Sequence, residues 1–579
     1  MEQRFINDPS SGSAGIVASE IAENENILGN NMLANSYGSA GTVGCDQTSK
    51  TDEGDATITL PKAQFYTLIS SIFLASFLAA LDTTVVTTLL TVIASDLNAV
   101  DNISWIATAY LLSCSAFQPI YGKLSDIFGR KILLLICCFL FAVGCCICVT
   151  DSLVLLVIGR FVTGCGGSGL TTLGTITMSD LIPLRDRGLY QGLANICFGL
   201  GAASGGIVGG VVADMFGWKY VFIFQVPIAI LVGFAIFSFL NLPEGSPGLG
   251  ETGAKLSEKL KRVDFLGAFF LVSSLMIILT TASLAGTQFS YSSNTFIGLA
   301  ALSILLFFLF IFTESFISDE PIIPMEIMTE RTVLASSLAN WFYTMGVFTY
   351  LFFIPLYFQT VMGLTATQSG ERVIPNFLAV SFGSVGAGLY MKKTGRYYVL
   401  TVAVGIISLL GMYRVLMLSP ESSLLTQFTI LIPPGFGYSC LLTVTLLSLI
   451  AAVPIKYQAC TTSIQYTFRA TGSTIGVSVA SAIFQNLVRA HLSRNVHDII
   501  KDPILARKVI KKALENTNYV HEAPDLVRNA IKDAYSTGCK GALVFSTATI
   551  ALGFVSSLFM KEHVLHKSMN RNVRDSTSA

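Results

Sequence analysis

The stretch GKLSDIFGRK, residues 122–131, is a short charged segment between two long apolar runs. Gly122 lets the backbone approach a neighbouring helix closely, because it has no side chain. Asp126 can accept hydrogen bonds from helix amino-terminal amides or from an arginine, while Arg130 and Lys131 can anchor one membrane surface. Together with Gly129, these residues predict a charge clamp that holds one conformation of a helix bundle shut.

The composition of the whole chain predicts a membrane protein. Of its 579 residues, 52% are hydrophobic and 12% are charged, whereas soluble domains carry about 25% charged residues. Lys plus Arg and Asp plus Glu both number 36, so no basic excess indicates a nucleic-acid partner. Apolar runs long enough to cross a bilayer recur along the chain, and about fourteen of them are expected. They lie near residues 66–92, 103–121, 132–150, 153–179, 190–213, 219–240, 264–284, 295–317, 333–358, 373–391, 398–418, 425–450, 463–488 and 541–560.

The connections between these runs predict the orientation of the chain. Residues 1–62 are polar and predict a disordered cytosolic tail. Lys and Arg concentrate in alternate short loops, which places those loops and both termini in the cytosol. The connection 489–540 is basic although it is assigned to the outer side. We interpret it as two amphipathic helices on the outer face, the first beginning near Asp502 and the second ending at Gly538.

Three further segments place distinctive residues inside the apolar runs. LDTTVVTTLL, residues 81–90, holds an acid and several threonines in the first run, and RFVTGCGGSG, residues 160–169, begins with an arginine in the fourth. The fifth run carries small residues at helical spacing, which allow helices to pack closely. These glycines are Gly201, Gly205, Gly206, Gly209 and Gly210.

Residues 122–131 and these three segments resemble the motifs of the major facilitator superfamily, in its fourteen-span drug:proton antiporter branch. Gly206 stands where the antiporter glycine motif usually has proline, which weakens any argument from a proline kink. Within this branch, the sequence is similar to fungal vacuolar basic amino acid transporters. ISWIATAYLLSCSAFQPIYGKLSDIFGRK, residues 103–131, and GWKYVFIFQVP, residues 217–227, carry that similarity.

The resemblance implies an all-α membrane fold of two six-helix halves with two inserted helices. The amino-terminal half is expected over residues 63–242, and a linker with the two inserted helices over 243–330. The carboxy-terminal half is expected over residues 331–562, including the connection 489–540, and a cytosolic tail over 563–579.

Three charged residues within predicted spans are candidates for proton coupling or substrate binding: Asp82, Arg160 and Arg469. Asp82 lies midway along the first span, where a charge costs about 3 kcal/mol. A membrane setting favours its protonated form, so it can hold a proton or, when ionised, a cationic substrate. The alternative is a structural aspartate bonded to Thr83 or Thr84. In the resembled superfamily an arginine placed like Arg160 is implicated in proton movement, but both arginines also have structural interpretations.

The function that the resemblance implies is exchange of cytosolic lysine, histidine or arginine for protons stored in the vacuole, by rocking of the two halves. The expected location is the vacuolar membrane, the expected partners are a cationic amino acid and the lipid bilayer, and the proton gradient takes the place of any cofactor or metal. A plasma-membrane multidrug efflux pump and a non-transporting amino-acid sensor are the alternatives. An enzyme is not expected, because no segment outside the predicted spans is long enough for a catalytic domain.

Overall fold

The structure, a computed structural model, describes residues 61–97, 104–242, 246–251, 253–284, 293–499 and 523–565, with positions 505, 509, 510, 512, 513 and 520. Residues 1–60 of the tail predicted over 1–62 lie outside the described residues, as does most of the first predicted amphipathic helix. Apart from short connections, the described chain is helical.

Fourteen long helices account for most of the described residues. They are α1 (Lys62–Asp96), α2 (Ser104–Phe128), α3 (Arg130–Cys148), α4 (Leu153–Leu181), α5 (Leu184–Phe216), α6 (Trp218–Phe239), α7 (Phe265–Leu284), α8 (Asn294–Phe316), α9 (Arg331–Thr360), α10 (Ile374–Thr394), α11 (Tyr398–Leu416), α12 (Ile432–Ala452), α13 (Gln458–Ile499) and α14 (Asp525–Leu558). Short helical turns lie between some of them, at Pro247–Leu249, Leu256–Lys261, Met325–Met328, Ala366–Glu371, Leu424–Thr429 and Ile455–Tyr457.

Local sequence sets several of the helix ends. Gly129 has φ +94° and separates α2 from α3, and Gly395 ends α10 in the left-handed region at φ +70°, a backbone conformation that glycine adopts without steric cost. Ser293 and Glu330 cap α8 and α9 by accepting hydrogen bonds from backbone amides of the first turn.

Twelve helices in the described part of the chain are long and apolar enough to cross a membrane. The two long helices outside that group are α2 and α13. They pack against each other. Fourteen spans therefore remain a prediction, with which the fourteen long helices agree.

The long helices form two groups of six. In the first, α1 packs on α5 and α6, and α4 packs on α2 and α3; in the second, α9 packs on α13 and α14, and α12 packs on α10 and α11. Each group has its own apolar core. The two groups meet where α2 packs on α13 and α5 packs on α10.

The inserted pair α7 and α8 lies beside the junction of the two groups. Ser274 of α7 and Ser303 of α8 each donate to the other's backbone carbonyl, at 3.0 and 3.1 Å. The helix α7 also packs on α2 and α13. Much of α8 is exposed, as expected for a helix that faces lipid on most sides.

The connection 489–540 differs from the prediction. The helix α13 continues to Ile499, and residues expected to form a separate amphipathic helix are the first part of α14, which begins at Asp525. Gly538 does not end a helix. A Cβ at Gly538 would lie 2.5 Å from Cγ2 of Val488 and 2.8 Å from Cδ2 of Phe484, so this glycine allows α14 to approach α13 closely.

Candidate functional site

Asp82 on α1 and Arg160 on α4 form a buried ion pair. Arg160 Nη1 donates to Asp82 Oδ1 at 2.9 Å and to Oδ2 at 2.7 Å. The two side chains are 0% and 1% exposed, respectively. Arg160 Nε also donates to the carbonyl of Ile106 at 3.4 Å. The pair therefore joins α1, α2 and α4 inside the first helix group.

Aromatic rings enclose the guanidinium of Arg160. Its carbon Cζ lies 4.4 Å from the ring centre of Tyr110 and 5.9 Å from that of Phe222, so cation–π contact adds to the ion pair. The Tyr110 hydroxyl donates to the carbonyl of Ala79 at 3.2 Å. Because the loss of one partner of a buried ion pair leaves the other charge uncompensated, Asp82 and Arg160 stabilise each other inside the first helix group.

A small polar cleft lies between the two helix groups, lined by α5, α9, α12 and α13. Its volume is about 20 Å³, which is room for roughly one water molecule. The lining residues are Gln191, Asn195, Asn340, Leu442, Leu446, Gln465, Tyr466 and Arg469.

Hydrogen bonds between the groups lie on two sides of this cleft. Asn195 Nδ2 donates to Ser384 Oγ at 2.8 Å and joins α5 to α10. The hydroxyls of Thr175 and Tyr466 lie 2.7 Å apart and join α4 to α13. Gln191 Nε2 donates to Asn195 Oδ1 at 3.2 Å. The two groups are thus held together around the cleft by neutral polar contacts that can break without leaving an unpaired charge.

The structure separates the three predicted charged candidates. Arg469 lines the cleft, with its Cζ 5.8 Å from the ring centre of Phe198. Asp82 and Arg160 do not line it; they lie together inside the first group. The roles of Asp82 in proton coupling and in substrate binding therefore both stay predictions. Thr83, one suggested structural partner, donates instead to the carbonyl of Ala79.

Residues 122–131 form a second charged centre, at what we call the motif end of the bundle. Arg130 is 2% exposed and donates to Asp126 Oδ1 at 2.7 Å, to Asp180 Oδ2 at 3.0 Å and to Ser125 Oγ at 2.6 Å. One guanidinium thus ties the end of α2 to the end of α4. Asp126 and Arg130 of the motif are thus paired, with Asp180 as an additional member, and their role in holding one conformation shut stays a prediction.

The other motif residues make contacts of different kinds. A Cβ at Gly122 would lie 2.6 Å from the carbonyl oxygen of Ala459 and 2.7 Å from Ser463 Oγ, so only a glycine permits this approach of α2 to α13. Gly129 lies directly against the backbone of Leu249. Lys131 Nζ donates to Asn241 Oδ1 at 3.0 Å, which links the start of α3 to the chain after α6.

Charged contacts also join the two helix groups at the motif end. Arg185, at the start of α5, donates to the carbonyls of Lys392 and Lys393 at 2.6 and 2.8 Å. These carbonyls belong to the last turn of α10, where a cation is favourable. Asp186 pairs with the Lys392 side chain at 3.2 Å, and Arg187 donates to Gln458 Oε1 at 3.2 Å. The motif end is therefore closed across the boundary between the groups.

An ion-pair cluster connects the motif end to the chain around the inserted helices. Glu320, after α8, pairs with Lys123 of α2 at 2.8 Å and with Arg262, before α7, at 2.6 Å; Arg262 also pairs with Glu251. Partial burial opposes ionisation of Glu320, but the hydrogen bonds from Arg262 and Lys123 outweigh it, and the pKa of Glu320 is lowered.

The glycines predicted to pack α5 divide into two sets. Gly201, Gly205 and Gly209 are buried and face Phe77, Thr84 and Val85 of α1. In contrast, a Cβ at Gly206 would first meet Thr88 Oγ1 at 3.5 Å, an ordinary contact, and one at Gly210 would meet no described atom within 4 Å. Only the set at i, i+4 and i+8 therefore forms the close contact with α1.

Sequence reasoning missed Asp180 and the amides of the cleft. Asp180 ends an apolar run, where it is not distinguishable from a residue at the membrane surface. The amides Gln191, Asn195, Asn340 and Gln465 lie within or beside apolar runs. Uncharged amides at such positions are a usable signal, because each needs a hydrogen-bond partner away from water.

The two six-helix groups meet around a polar cleft, and breakable contacts close the motif end of the bundle between them. This arrangement defines the class of the protein as a membrane transporter. The sequence profile described as Major Facilitator Superfamily matches residues 72–328. The chain is 34% identical to Multidrug resistance protein fnx1 of Schizosaccharomyces pombe, over 88% of this chain and 94% of that protein. It is 32% identical to the Vacuolar membrane amino acid uptake transporter fnx2 of the same organism, over 86% and 84% of the two chains.

A further relative is the Vacuolar basic amino acid transporter 1 of Saccharomyces cerevisiae, 29% identical over 88% of this chain and 94% of that protein. Among solved structures, the human organic anion transporter MFSD10 superposes with a TM-score of 0.54 at 17% identity, over 85% of this chain and 99% of the other, a likeness of fold alone. The chain belongs to the major facilitator superfamily.

Proposed function

We propose that the protein is a proton-coupled antiporter that moves the basic amino acids lysine, histidine and arginine from the cytosol into the vacuole by alternating access. The observation that carries this proposal is the fully buried Asp82–Arg160 pair, since an ionisable pair inside a membrane protein is costly and commonly marks a proton path. Similarity to two proteins named as vacuolar amino acid transporters supports the cargo and the location.

Coupling follows from the chemistry of the pair. In the deprotonated state Asp82 holds Arg160, and α1, α2 and α4 are tied together. A proton from the acidic lumen neutralises Asp82 and breaks the pair, which loosens the first helix group and favours the return of the transporter without cargo. Loss of this proton to the cytosol restores the pair and completes the exchange. Protein groups alone carry the proton, so the mechanism requires no cofactor or metal.

The proposed orientation places the motif end, and both chain termini, in the cytosol. The contacts of Arg185, Asp186 and Arg187 with the second helix group then close the cytosolic side. Opening toward the cytosol requires these contacts to separate, along with the approach of Gly122 to α13. In the proposed cycle, this arrangement is the cytosol-closed state.

The test is uptake of labelled lysine and histidine by vacuolar membrane vesicles that contain the protein. The unchanged protein should accumulate both substrates when ATP energises the vesicles, and a protonophore should abolish accumulation. Asp82→Asn keeps the size of the side chain but cannot exchange a proton, so it should abolish energised accumulation at equal protein abundance.

Asp96→Asn is the matched control, because Asp96 is the other acid of α1 and accepts a hydrogen bond from Trp218 at 2.8 Å that an asparagine can also accept. Its uptake should equal that of the unchanged protein. Undiminished accumulation by Asp82→Asn would remove Asp82 from the coupling role. Failure of the unchanged protein to accumulate any basic amino acid would refute the proposed function itself.

The second candidate is a proton-driven multidrug efflux pump of the plasma membrane. Similarity to a protein named for multidrug resistance favours this candidate. In that case a fluorescent fusion would lie at the cell surface, and deletion of the gene would sensitise cells to apolar toxic compounds. Location at the vacuole combined with lysine accumulation would exclude it.

A further inference from the structure

Arg469 differs in its surroundings from Arg130 and Arg160, two buried arginines of the first helix group. Arg130 and Arg160 are each paired with an aspartate. Arg469 is partly buried in the cleft, and no ion pair joins it to a carboxylate in the described part of the chain. A cation at such a place is costly unless it has a partner for at least part of the cycle. Its environment therefore favours an anionic group in the cleft.

Asn340 provides a complementary group in the same cleft. Its side chain is 3% exposed, and Nδ2 donates to the carbonyl of Gln465 at 3.1 Å. That bond orients the amide, and among described residues its Oδ1 has no hydrogen-bond donor. Gln465 is in turn held by a 3.0 Å hydrogen bond to Thr445. A buried acceptor without a donor destabilises the protein until a donor arrives.

The two groups come from different helices and meet at one cleft. Arg469 lies one helical turn after Gln465 on α13, and Asn340 on α9 is bonded to Gln465. The guanidinium of Arg469 and the amide of Asn340 therefore lie on the same side of α13. We infer that the cleft recognises the zwitterionic backbone of an α-amino acid, with Arg469 binding the carboxylate and Asn340 Oδ1 accepting from the ammonium group.

This inference rests on the proposed function and deepens it. The described lining of the cleft holds no carboxylate, so the side-chain ammonium of lysine would meet neutral acceptors there. The backbone groups then contribute most of the specificity, and an amine without a carboxylate is repelled by Arg469. The cleft of about 20 Å³ is too small for an amino acid, so binding occurs when the two helix groups separate.

Two lysine analogues, each lacking one of the backbone groups, test the inference. Cadaverine is lysine without the carboxylate, and 6-aminohexanoate is lysine without the α-ammonium. Each should inhibit labelled lysine uptake by vacuolar vesicles at least about tenfold more weakly than unlabelled lysine, since each loses one charge-assisted hydrogen bond.

Variants assign the two groups. Arg469→Gln should reduce the preference for lysine over cadaverine while the preference over 6-aminohexanoate persists, and Asn340→Ala should do the reverse. Arg469→Lys should recover part of the preference over cadaverine. Arg414→Gln is the matched control, because Arg414 is an exposed arginine of α11; it should leave both preferences unchanged.

The outcomes separate the inference from the proposed function. If the unchanged protein accumulates lysine but cadaverine inhibits as strongly as lysine, the inference is overturned and the transport function stands. If the preferences exist but Arg469→Gln leaves both intact, Arg469 is not the carboxylate-binding residue. If the unchanged protein does not accumulate lysine, the proposed function is what fails.

Discussion

Removing one member of the Asp82–Arg160 pair should destabilise the protein far more than removing both. The side chains are 0% and 1% exposed and are joined by bonds of 2.7 and 2.9 Å. Breaking such a buried pair costs about 3–5 kcal/mol, whereas replacing both partners by neutral groups of similar size is often close to neutral. Arg160→Met should therefore lose about 4 kcal/mol, including its contact with the Tyr110 ring.

The measurement is thermal unfolding of the purified protein in detergent, as a double-mutant cycle. For a helix group of this size, a loss of that magnitude lowers the midpoint on the order of 10 °C. The double variant Asp82→Asn with Arg160→Met should recover at least half of that loss.

The control is Arg414→Met, which replaces an exposed arginine of α11 and should shift the midpoint little. If the losses of the two single variants simply add in the double variant, the two residues do not stabilise the fold as a pair, and the coupling mechanism based on their separation is refuted.

Three further predictions concern the motif end. Gly122→Leu should open the motif end, because the added side chain has no room against α13. Cys460, which is 4% exposed, should then react faster with a membrane-permeant maleimide. An unchanged labelling rate would contradict this prediction. Arg130→Gln should lower the unfolding midpoint by several degrees, because it leaves the buried carboxylate of Asp180 and the half-buried one of Asp126 unpaired. Lys131→Gln should have little effect, since Lys131 bonds to the neutral amide of Asn241. The pKa of Glu320 is lowered in the folded protein, so its ionised form stabilises the fold. This stabilisation should be complete above about pH 4.3, the ordinary pKa of glutamate, and should disappear as the pH falls through the lowered pKa. Glu320→Gln should remove this acid dependence of the unfolding midpoint.

The membrane class, the helix content and the motif follow from the sequence because they depend on local properties. Whether a run of residues can cross a bilayer depends on the apolar side chains within that run. A loop motif such as residues 122–131 is also contiguous, so it can be recognised without knowledge of the fold. The helix boundaries predicted from the sequence differ from those of the structure at the connection 489–540. A glycine such as Gly538 can either end a helix or allow two helices to pack closely. Its contact with Val488 and Phe484 decides between these outcomes, and no local pattern reveals that contact.

What only the tertiary structure decided is which polar residues meet. Asp82 and Arg160 are both recognisable in the sequence as intramembrane charges, but their pairing joins residues 78 positions apart and changes Asp82 from a lone acid to half of an ion pair. Arg469 is recognisable in the same way, and the structure places it in the cleft with Asn340 instead. The energy of a buried charge depends on the groups within a few ångströms of it, and those groups are supplied by the packing of distant helices. The sequence therefore determines that charges lie within the membrane, while the fold determines which of them are paired and which lies in the cleft between the two helix groups.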